Sequence, residues 1–245
     1  MRLWSVVAFV GAVVACSRSD QRTPALDEPR AHEVEVSAAT FLMGCNPARD
    51  DACSLESEPS GTVAVARFFL DRTEVSQGAY AACVAAGACT PPPPSCAGTW
   101  TATPREDALP MTCVDHADAA RFCAWRGGRL PSEAEWERAA RGVDGRTYPW
   151  GDDKPDCVRA AIASCGTVPM PVGARAAGAS PVGALDMGGN VSEWTSTPTG
   201  DDPRYLVVKD YGLDWWHMRS SMRLPVQLGY RESGLGFRCA RSPRG

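Results

Sequence analysis

The sequence predicts an α+β fold with little regular secondary structure, in which disulfide bonds hold irregular loops together. Strand-like and helix-like segments occupy the first part of the chain, whereas the part beyond Arg141 carries Gly, Pro, Asp and Ser with isolated tryptophans. There are 11 cysteines, and setting Cys16 aside leaves 10, an even number that suits pairing in an oxidising compartment. About 215 residues remain after the amino-terminal segments, enough for one domain with its own core.

The first 15 residues predict a secretion signal. Arg2 is followed by an apolar run, up to residue 15, that is too short to span a bilayer. The run ends in VVAC, which resembles a bacterial lipobox and implies cleavage before Cys16 and lipidation of that residue. An ordinary signal peptide cut near Ala15 is the alternative.

Residues 16–32 then form a lipidated cysteine and a flexible polar tether, and residues 33–245 form the folded domain. The expected location is the bacterial cell envelope, lipid-anchored on the periplasmic or outer-membrane face, with the membrane as a partner. Removal of the signal takes away Arg2 alone among the charged residues, which leaves 24 Lys and Arg against 29 Asp and Glu. This mildly acidic balance argues against nucleic acid as a partner.

Strands are predicted at 34–36 (VEV), 40–44 (TFLMG) and 62–71 (TVAVARFFLD). The first helix is expected from Ser76 to Ala86. The segment CTPPPPSC at 89–96 is expected to be an exposed stapled loop, because proline lacks the N–H donor that helices and central strands need.

Two further helices follow. One is expected from His116 to Trp125, with Asp115 as its cap and His116 as a polar surface residue. The other begins after Ser132, where Ser132 and Glu135 form a capping box, and it ends at Gly142.

Ten cysteines permit 945 pairings, so spacing alone leaves the connectivity open. Close spacing favours three local pairs, and the other four cysteines would then pair over longer distances. No CxxC pair or Cys/His spacing is present, so zinc is not expected. The favoured local pairs are Cys45–Cys53, Cys83–Cys89 and Cys157–Cys165, and the remaining residues are Cys96, Cys113, Cys123 and Cys239.

The stretch LDMGGNVSEW at 185–194 places an acidic residue on each side of a turn that contains two glycines and an asparagine. Oxygen ligands on a glycine-bearing loop are what a hard cation such as calcium takes. The alternative is a polar surface turn, in which Asn190 adopts a positive φ and Glu193 is solvated.

Six motifs in order resemble the formylglycine-generating enzyme (sulfatase-modifying factor) domain, over residues 41–241. The resemblance implies an irregular α+β fold distantly related to C-type lectins. The motifs are FLMG, FFLDRTEVSQGAYAACV, PMTCVDHADAARFCAWRGGRLPSEAEWERAARG, YPWGDD, GALDMGGNVSEW and GFRCAR.

The resemblance also implies a calcium ion in the loop at 185–194. Asp186 and Glu193 would give side-chain oxygens, and Gly189 and Val191 would give backbone carbonyls. It further implies a disulfide between Cys123 and Cys239.

The chain departs from the family at the catalytic site. The family binds copper(I) through two cysteines about five residues apart, as soft thiolates do. The matching segment here, 207–224, contains no cysteine, and neither does the whole stretch 166–237. Copper and copper-dependent formylglycine generation are therefore not expected.

In place of those cysteines stand Trp215 and Trp216, beside His217 and Arg219. Such a set favours a ligand groove, because tryptophan faces and a guanidinium suit a protein, peptide or glycan ligand. The alternative is that each Trp simply packs.

The sequence thus favours a calcium-stabilised module that binds a ligand or partner without copper chemistry. The alternatives are an oxygen-dependent protein-modifying oxidoreductase, of the formylglycine-generating or an iron-dependent type, and a purely structural envelope role.

Overall fold

The computed structural model describes residues 1, 28–50, 53, 61–96, 100, 107–198, 204–207 and 209–244. The predicted signal segment, Cys16 and most of the predicted tether lie outside the described residues. Within these ranges, no helix has the length and apolar character needed to cross a membrane.

Helices and strands are short and are joined by long irregular connections, as the composition predicted. The helices are α1 (Gln77–Ala85), α2 (His116–Trp125) and α3 (Glu133–Arg141). The strands are β1 (Glu33–Val36), β2 (Ala39–Met43), β3 (Gly61–Val65), β4 (Phe68–Asp71), β5 (Ser192–Pro198), β6 (Arg204–Val207), β7 (Arg223–Val226), β8 (Leu235–Gly236) and β9 (Ala240–Arg241).

In the described part of the chain, these strands form three small sheets, in the orders β1–β4–β9, β2–β3 and β7–β6–β5–β8. All neighbours are antiparallel except β5 and β8, which run parallel with Glu193 opposite Gly236. The segment predicted as one strand at 62–71 is two strands, because the chain leaves the β2–β3 hairpin after Val65 and joins β1 from Phe68. The sheet around β5 and β6 was not predicted.

The helix boundaries agree with the capping signals. At α3 the Ser132 hydroxyl accepts a hydrogen bond from the Glu135 N–H at 3.1 Å, and the Glu135 carboxylate accepts one from the Ser132 N–H at 2.8 Å. At α2 the Asp115 carboxylate accepts from the Asp118 N–H at 2.9 Å. His116, expected on the surface, is instead half-buried, since its ring packs edge-on against Trp194 with centroids 5.7 Å apart.

Two apolar clusters form most of the core. One gathers Tyr80, Phe122, Phe237 and Trp194 between α1, α2 and β5. The other packs Trp136 of α3 against β4 and the loop before β5. The loop at 185–194 and β5 therefore lie where the two clusters meet.

Five disulfides join the ten cysteines that follow Cys16. They comprise the three local pairs that spacing favoured, the Cys123–Cys239 pair that the resemblance implied, and Cys96–Cys113. The loop at 89–96 is thus tied at one end to α1 and at the other to the segment before α2, rather than closed on itself.

Candidate functional site

The loop at 185–194 has an unusual backbone. Asp186 and Asn190 adopt φ values of 58° and 72°, and Gly189 adopts 151°. Positive φ costs a non-glycine residue on the order of 1 kcal/mol or more, so two such residues in five mark a loop whose shape is imposed by its surroundings. Gly189 is required here, because a Cβ would lie 2.7 Å from the Ala161 carbonyl oxygen.

Asp186 and Glu74 bring two carboxylates together on one side of this loop. Asp186 is buried, and its Oδ2 accepts a hydrogen bond from the Gly173 N–H at 2.5 Å. Glu74 is 2% exposed, and its Oε1 accepts from the Asn190 side chain at 3.0 Å. Its Oε2 accepts no hydrogen bond from the described residues. Burial, and then the charge of Asp186, raise the pKa of Glu74, and burial also raises the pKa of Asp186.

Glu193, in contrast, has partners for both of its oxygens. Oε2 accepts from the Trp136 indole N–H and from Arg238 Nε, both at 2.8 Å, and Oε1 accepts from Arg238 Nη2 at 2.7 Å. Arg238 also donates to the Leu185 carbonyl at 2.9 Å. Burial alone would lower the pKa of Arg238, but the Glu193 carboxylate holds it above its ordinary value.

The residues of this loop fit a calcium ion in part. A cation between Glu74 Oε2 and Asp186 would find oxygen ligands of the type that calcium takes, and it would remove the repulsion between two buried carboxylates. Glu193 is less suited, because a cation beside it would face the guanidinium of Arg238. Sequence reasoning missed Glu74 and Arg238, although both lie inside the quoted family motifs, FFLDRTEVSQGAYAACV and GFRCAR.

The residues of the predicted ligand groove do not all face solvent. Trp215 is 41% exposed, with Lys154 Nζ 4.8 Å from its ring centroid. Trp216 is half-buried against the core, and its ring packs on His217. Arg219 is fully buried, with Nε 3.6 Å from Asp50 Oδ2. The guanidinium of Arg219 thus lies beside a buried carboxylate in this structure, and a ligand contact by Arg219 stays a prediction.

A cavity of about 420 Å³ lies elsewhere, between the start of α1 and the end of α2. Its apolar wall consists of Val75, Ala79, Ala82, Phe122, Trp125 and Val172. Its polar side consists of His32, Asp71, Thr73, Glu74, Ser76 and Arg126. The sequence did not predict this cavity, since its residues come from four separate segments of the chain.

His32 reaches the cavity because the chain just before β1 packs against the domain. The Arg72 N–H donates to the His32 carbonyl at 2.8 Å, and Arg30 donates to the Arg126 carbonyl at 3.0 Å. The folded part thus begins before residue 33, the expected boundary.

His32, Glu33 and Asp71 place three metal-type ligand atoms within 4.8 Å of one another. Their carboxylates are already paired: Arg126 donates twice to Asp71 at 3.0 Å, and Arg241 binds Glu33 at 2.7–3.0 Å. Because a metal ion would have to displace these guanidinium groups, this cluster is an ion-pair network rather than a metal centre.

Comparison with known protein families identifies the family of the chain. The family model described as sulfatase-modifying factor enzyme 1-like domain matches residues 20–243. The chain belongs to this family. A match of this extent confirms the family that the motifs indicated.

Relatives of differing activity share part of the sequence. The chain is 41% identical over 103 residues to a hercynine oxygenase of Mycolicibacterium thermoresistibile (40% of this chain, 23% of the relative). It is 36% identical over 161 residues to the inactive C-alpha-formylglycine-generating enzyme 2 of Mus musculus (55% and 49%). It is 43% identical over 99 residues to the formylglycine-generating enzyme of Mycobacterium tuberculosis (36% and 33%). The aligned region thus spans less than half of the length of each of these relatives.

Two solved structures are similar over most of the chain. PvdO from Pseudomonas aeruginosa has a TM-score of 0.72 at 25% identity, covering 86% of this chain and 94% of that one. Treponema denticola variable protein 1 has a TM-score of 0.67 at 20% identity, covering 86% and 95%. These similarities confirm the predicted fold class.

Proposed function

We propose that this chain is a ligand- or partner-binding member of the family that does not carry out copper-dependent formylglycine generation. The observation that supports the proposal is the state of its cysteines. All ten that follow Cys16 are joined in disulfides, and none lies between residues 166 and 237. A copper(I) site needs free thiolates, and this chain offers none in the folded domain.

The second candidate is an oxygen-dependent oxidoreductase that uses iron. The similarity to hercynine oxygenases favours it. The chain has three histidines, however, and the three-residue group of close ligand atoms found among the described residues contains one of them and is already ion-paired. A site of two histidines and a carboxylate, typical of non-haem iron, has little support here.

Calcium in the loop at 185–194 and a lipid anchor at Cys16 belong to the same proposal. Asp186, Glu74 and the carbonyls of Gly189 and Val191 would hold the ion, with Glu74 in place of the Glu193 that the resemblance implied. The ion would stabilise the loop between the two core clusters. The anchor would keep the domain at the cell envelope. Labelling the full chain and its Cys16→Ser variant with palmitate tests the anchor, since the variant should lose the label.

Metal analysis of the purified, oxidised mature domain tests the central claim. The domain is offered calcium, copper(I) and iron(II) in turn and is then desalted. We expect about one bound calcium per chain and no stoichiometric copper or iron. One tightly bound copper or iron ion per chain, together with oxidation of a cysteine-containing peptide, would refute this proposal and indicate that the protein is an oxidase.

A further inference from the structure

We infer that the cavity between α1 and α2 is the ligand site of this module and that it takes a small molecule with an apolar ring or chain, one hydrogen-bond acceptor and no negative charge. The inference rests on the proposed binding function but concerns a different place from the Trp215 region. It follows from the shape, the charge balance and the aromatic edge of the cavity.

The size and the lining suit a small molecule. Ligand cavities of proteins measure roughly 300–1,000 Å³ and are mostly apolar, and this one measures about 420 Å³. Val75 and Phe122 form a floor that is almost fully buried. An apolar ligand would displace water from this floor, which gives about 25 cal/mol per Å² of apolar surface removed from water.

Charge balance disfavours an anionic ligand. Asp71 is held by two hydrogen bonds from Arg126, so neither group has an unmatched charge to offer. Glu33, which lies close to Asp71, forms an ion pair with Arg241. An anionic ligand would therefore lose its hydration without gaining an opposite charge, which costs several kcal/mol. The carboxyl group of Glu74, which also lines the cavity, offers no countercharge to an anion either.

His32 supplies the polar specificity. Its Nε2 contacts Arg126 Nη2, and because a guanidinium can only donate, Nε2 accepts and Nδ1 carries the proton. Burial and the neighbouring Arg126 lower the pKa of His32, which keeps the ring neutral. The side chain is 49% exposed, so its Nδ1–H can donate to an acceptor on the ligand.

Trp125 forms the edge of the cavity. Its side chain is 43% exposed although it touches Phe122, with ring centroids 5.7 Å apart. An exposed indole beside a buried aromatic ring offers a flat face on which a ligand ring can stack.

The test uses the neutral fluorescent probe N-phenyl-1-naphthylamine and its charged counterpart 8-anilinonaphthalene-1-sulfonate, titrated into the mature protein. Energy transfer from tryptophan to the bound probe reports the site. We expect the neutral probe to bind and the sulfonate to bind at least about tenfold more weakly, since it lacks a countercharge. Trp125→Ala should weaken the neutral probe about tenfold.

Trp215→Ala is the matched control, because Trp215 is 41% exposed and lies in the region that the sequence favoured. It should leave probe affinity unchanged. Ala82→Trp, which adds bulk on an exposed position of α1, should fill the cavity and abolish binding without unfolding the protein, as a melting curve would show.

Three results would overturn the inference: loss of binding in Trp215→Ala with none in Trp125→Ala, equal affinity for the two probes, or no binding of the neutral probe. Metal analysis is a separate measurement. Bound copper together with oxidase activity would refute the proposed function, regardless of whether the probe binds. Absence of bound copper together with absence of probe binding would refute only the assignment of the cavity as the ligand site.

Discussion

Two carboxylates beside the same loop have opposite surroundings. Both carboxylate oxygens of Glu193 accept hydrogen bonds, from Arg238 and Trp136. Glu74, in contrast, has one oxygen with no hydrogen-bond partner among the described residues. The family resemblance implies both Asp186 and Glu193 as side-chain ligands of the cation, but the pattern of hydrogen bonds favours Glu74 over Glu193 beside Asp186. Substitution of each residue separates the two assignments.

Glu193→Gln should destabilise the protein by about 3 kcal/mol, because it leaves the guanidinium of Arg238 buried without a full countercharge. The loss should be equal in calcium and in chelator, as measured by urea unfolding. Glu35→Gln is the control, since Glu35 forms a surface ion pair with Arg67 and should cost less than about 1 kcal/mol. A loss seen only in calcium would make Glu193 a metal ligand instead.

Glu74→Gln should behave differently. Because burial raises the pKa of Glu74, replacing the acid by an amide should cost little in chelator. In calcium the variant should lose the rise in melting temperature that we expect of the wild type, since a ligand oxygen is gone. Calcium titrations followed by differential scanning calorimetry measure this, and an unchanged calcium effect would exclude Glu74 as a ligand.

His32 should make stability depend on pH. Its pKa is lowered by burial and by Arg126, so below about pH 6.5 the unfolded chain binds more protons than the folded one. Stability should therefore fall as the pH is lowered from about 6.5 towards the lowered pKa, and His32→Gln should remove this part of the fall. Melting temperatures of both proteins between about pH 8 and pH 5 provide the test. His217, whose pKa is also lowered by burial, leaves a residual dependence, and parallel curves would contradict the assignment.

At the scale of elements, the helices were predictable because their start signals are local. Ser132 and Glu135 exchange two hydrogen bonds across the first turn of α3, and no distant residue is needed to form them. The strands were less predictable. Residues 62–71 have the composition of one strand, but Ala66 and Arg67 lie between two strands that belong to different sheets.

Ser132→Ala should destabilise the protein by about 1 kcal/mol, because the Glu135 N–H loses its cap at a half-buried helix start. Urea unfolding measures the change. Ser164→Ala, at an exposed position, should stay within about 0.5 kcal/mol of the wild type. Equal losses in the two variants would mean that the capping box contributes nothing specific.

At the scale of the whole molecule, the Cys123–Cys239 bridge joins α2 to the residue just before β9, at a sequence separation of 116 residues, whereas Cys157–Cys165 has a separation of only 8. In the chain-entropy model, removing the long bridge costs about 5 kcal/mol and removing the short one about 2.5 kcal/mol. Paired Cys→Ser variants compared by thermal unfolding should show that order. The reverse order would mean that native packing, rather than loop closure, sets the contribution of each bridge.

Sequence motifs alone indicated the family, the helix starts and the absence of cysteine between residues 166 and 237, and close spacing favoured the local cysteine pairs. Each of these depends on residues that are near in the chain or on a residue type being present or absent. Such features do not change with the packing of distant segments.

Only the tertiary structure decided which charged groups meet. It paired Glu193 with Arg238 and brought the carboxyl groups of Glu74 and Asp186 close together. It buried Arg219 beside Asp50. It also formed the cavity at Trp125 from segments that are far apart in the chain. The physical reason is that burial and countercharge fix the role of an ionisable side chain, and both are supplied by residues that its own sequence neighbours do not specify.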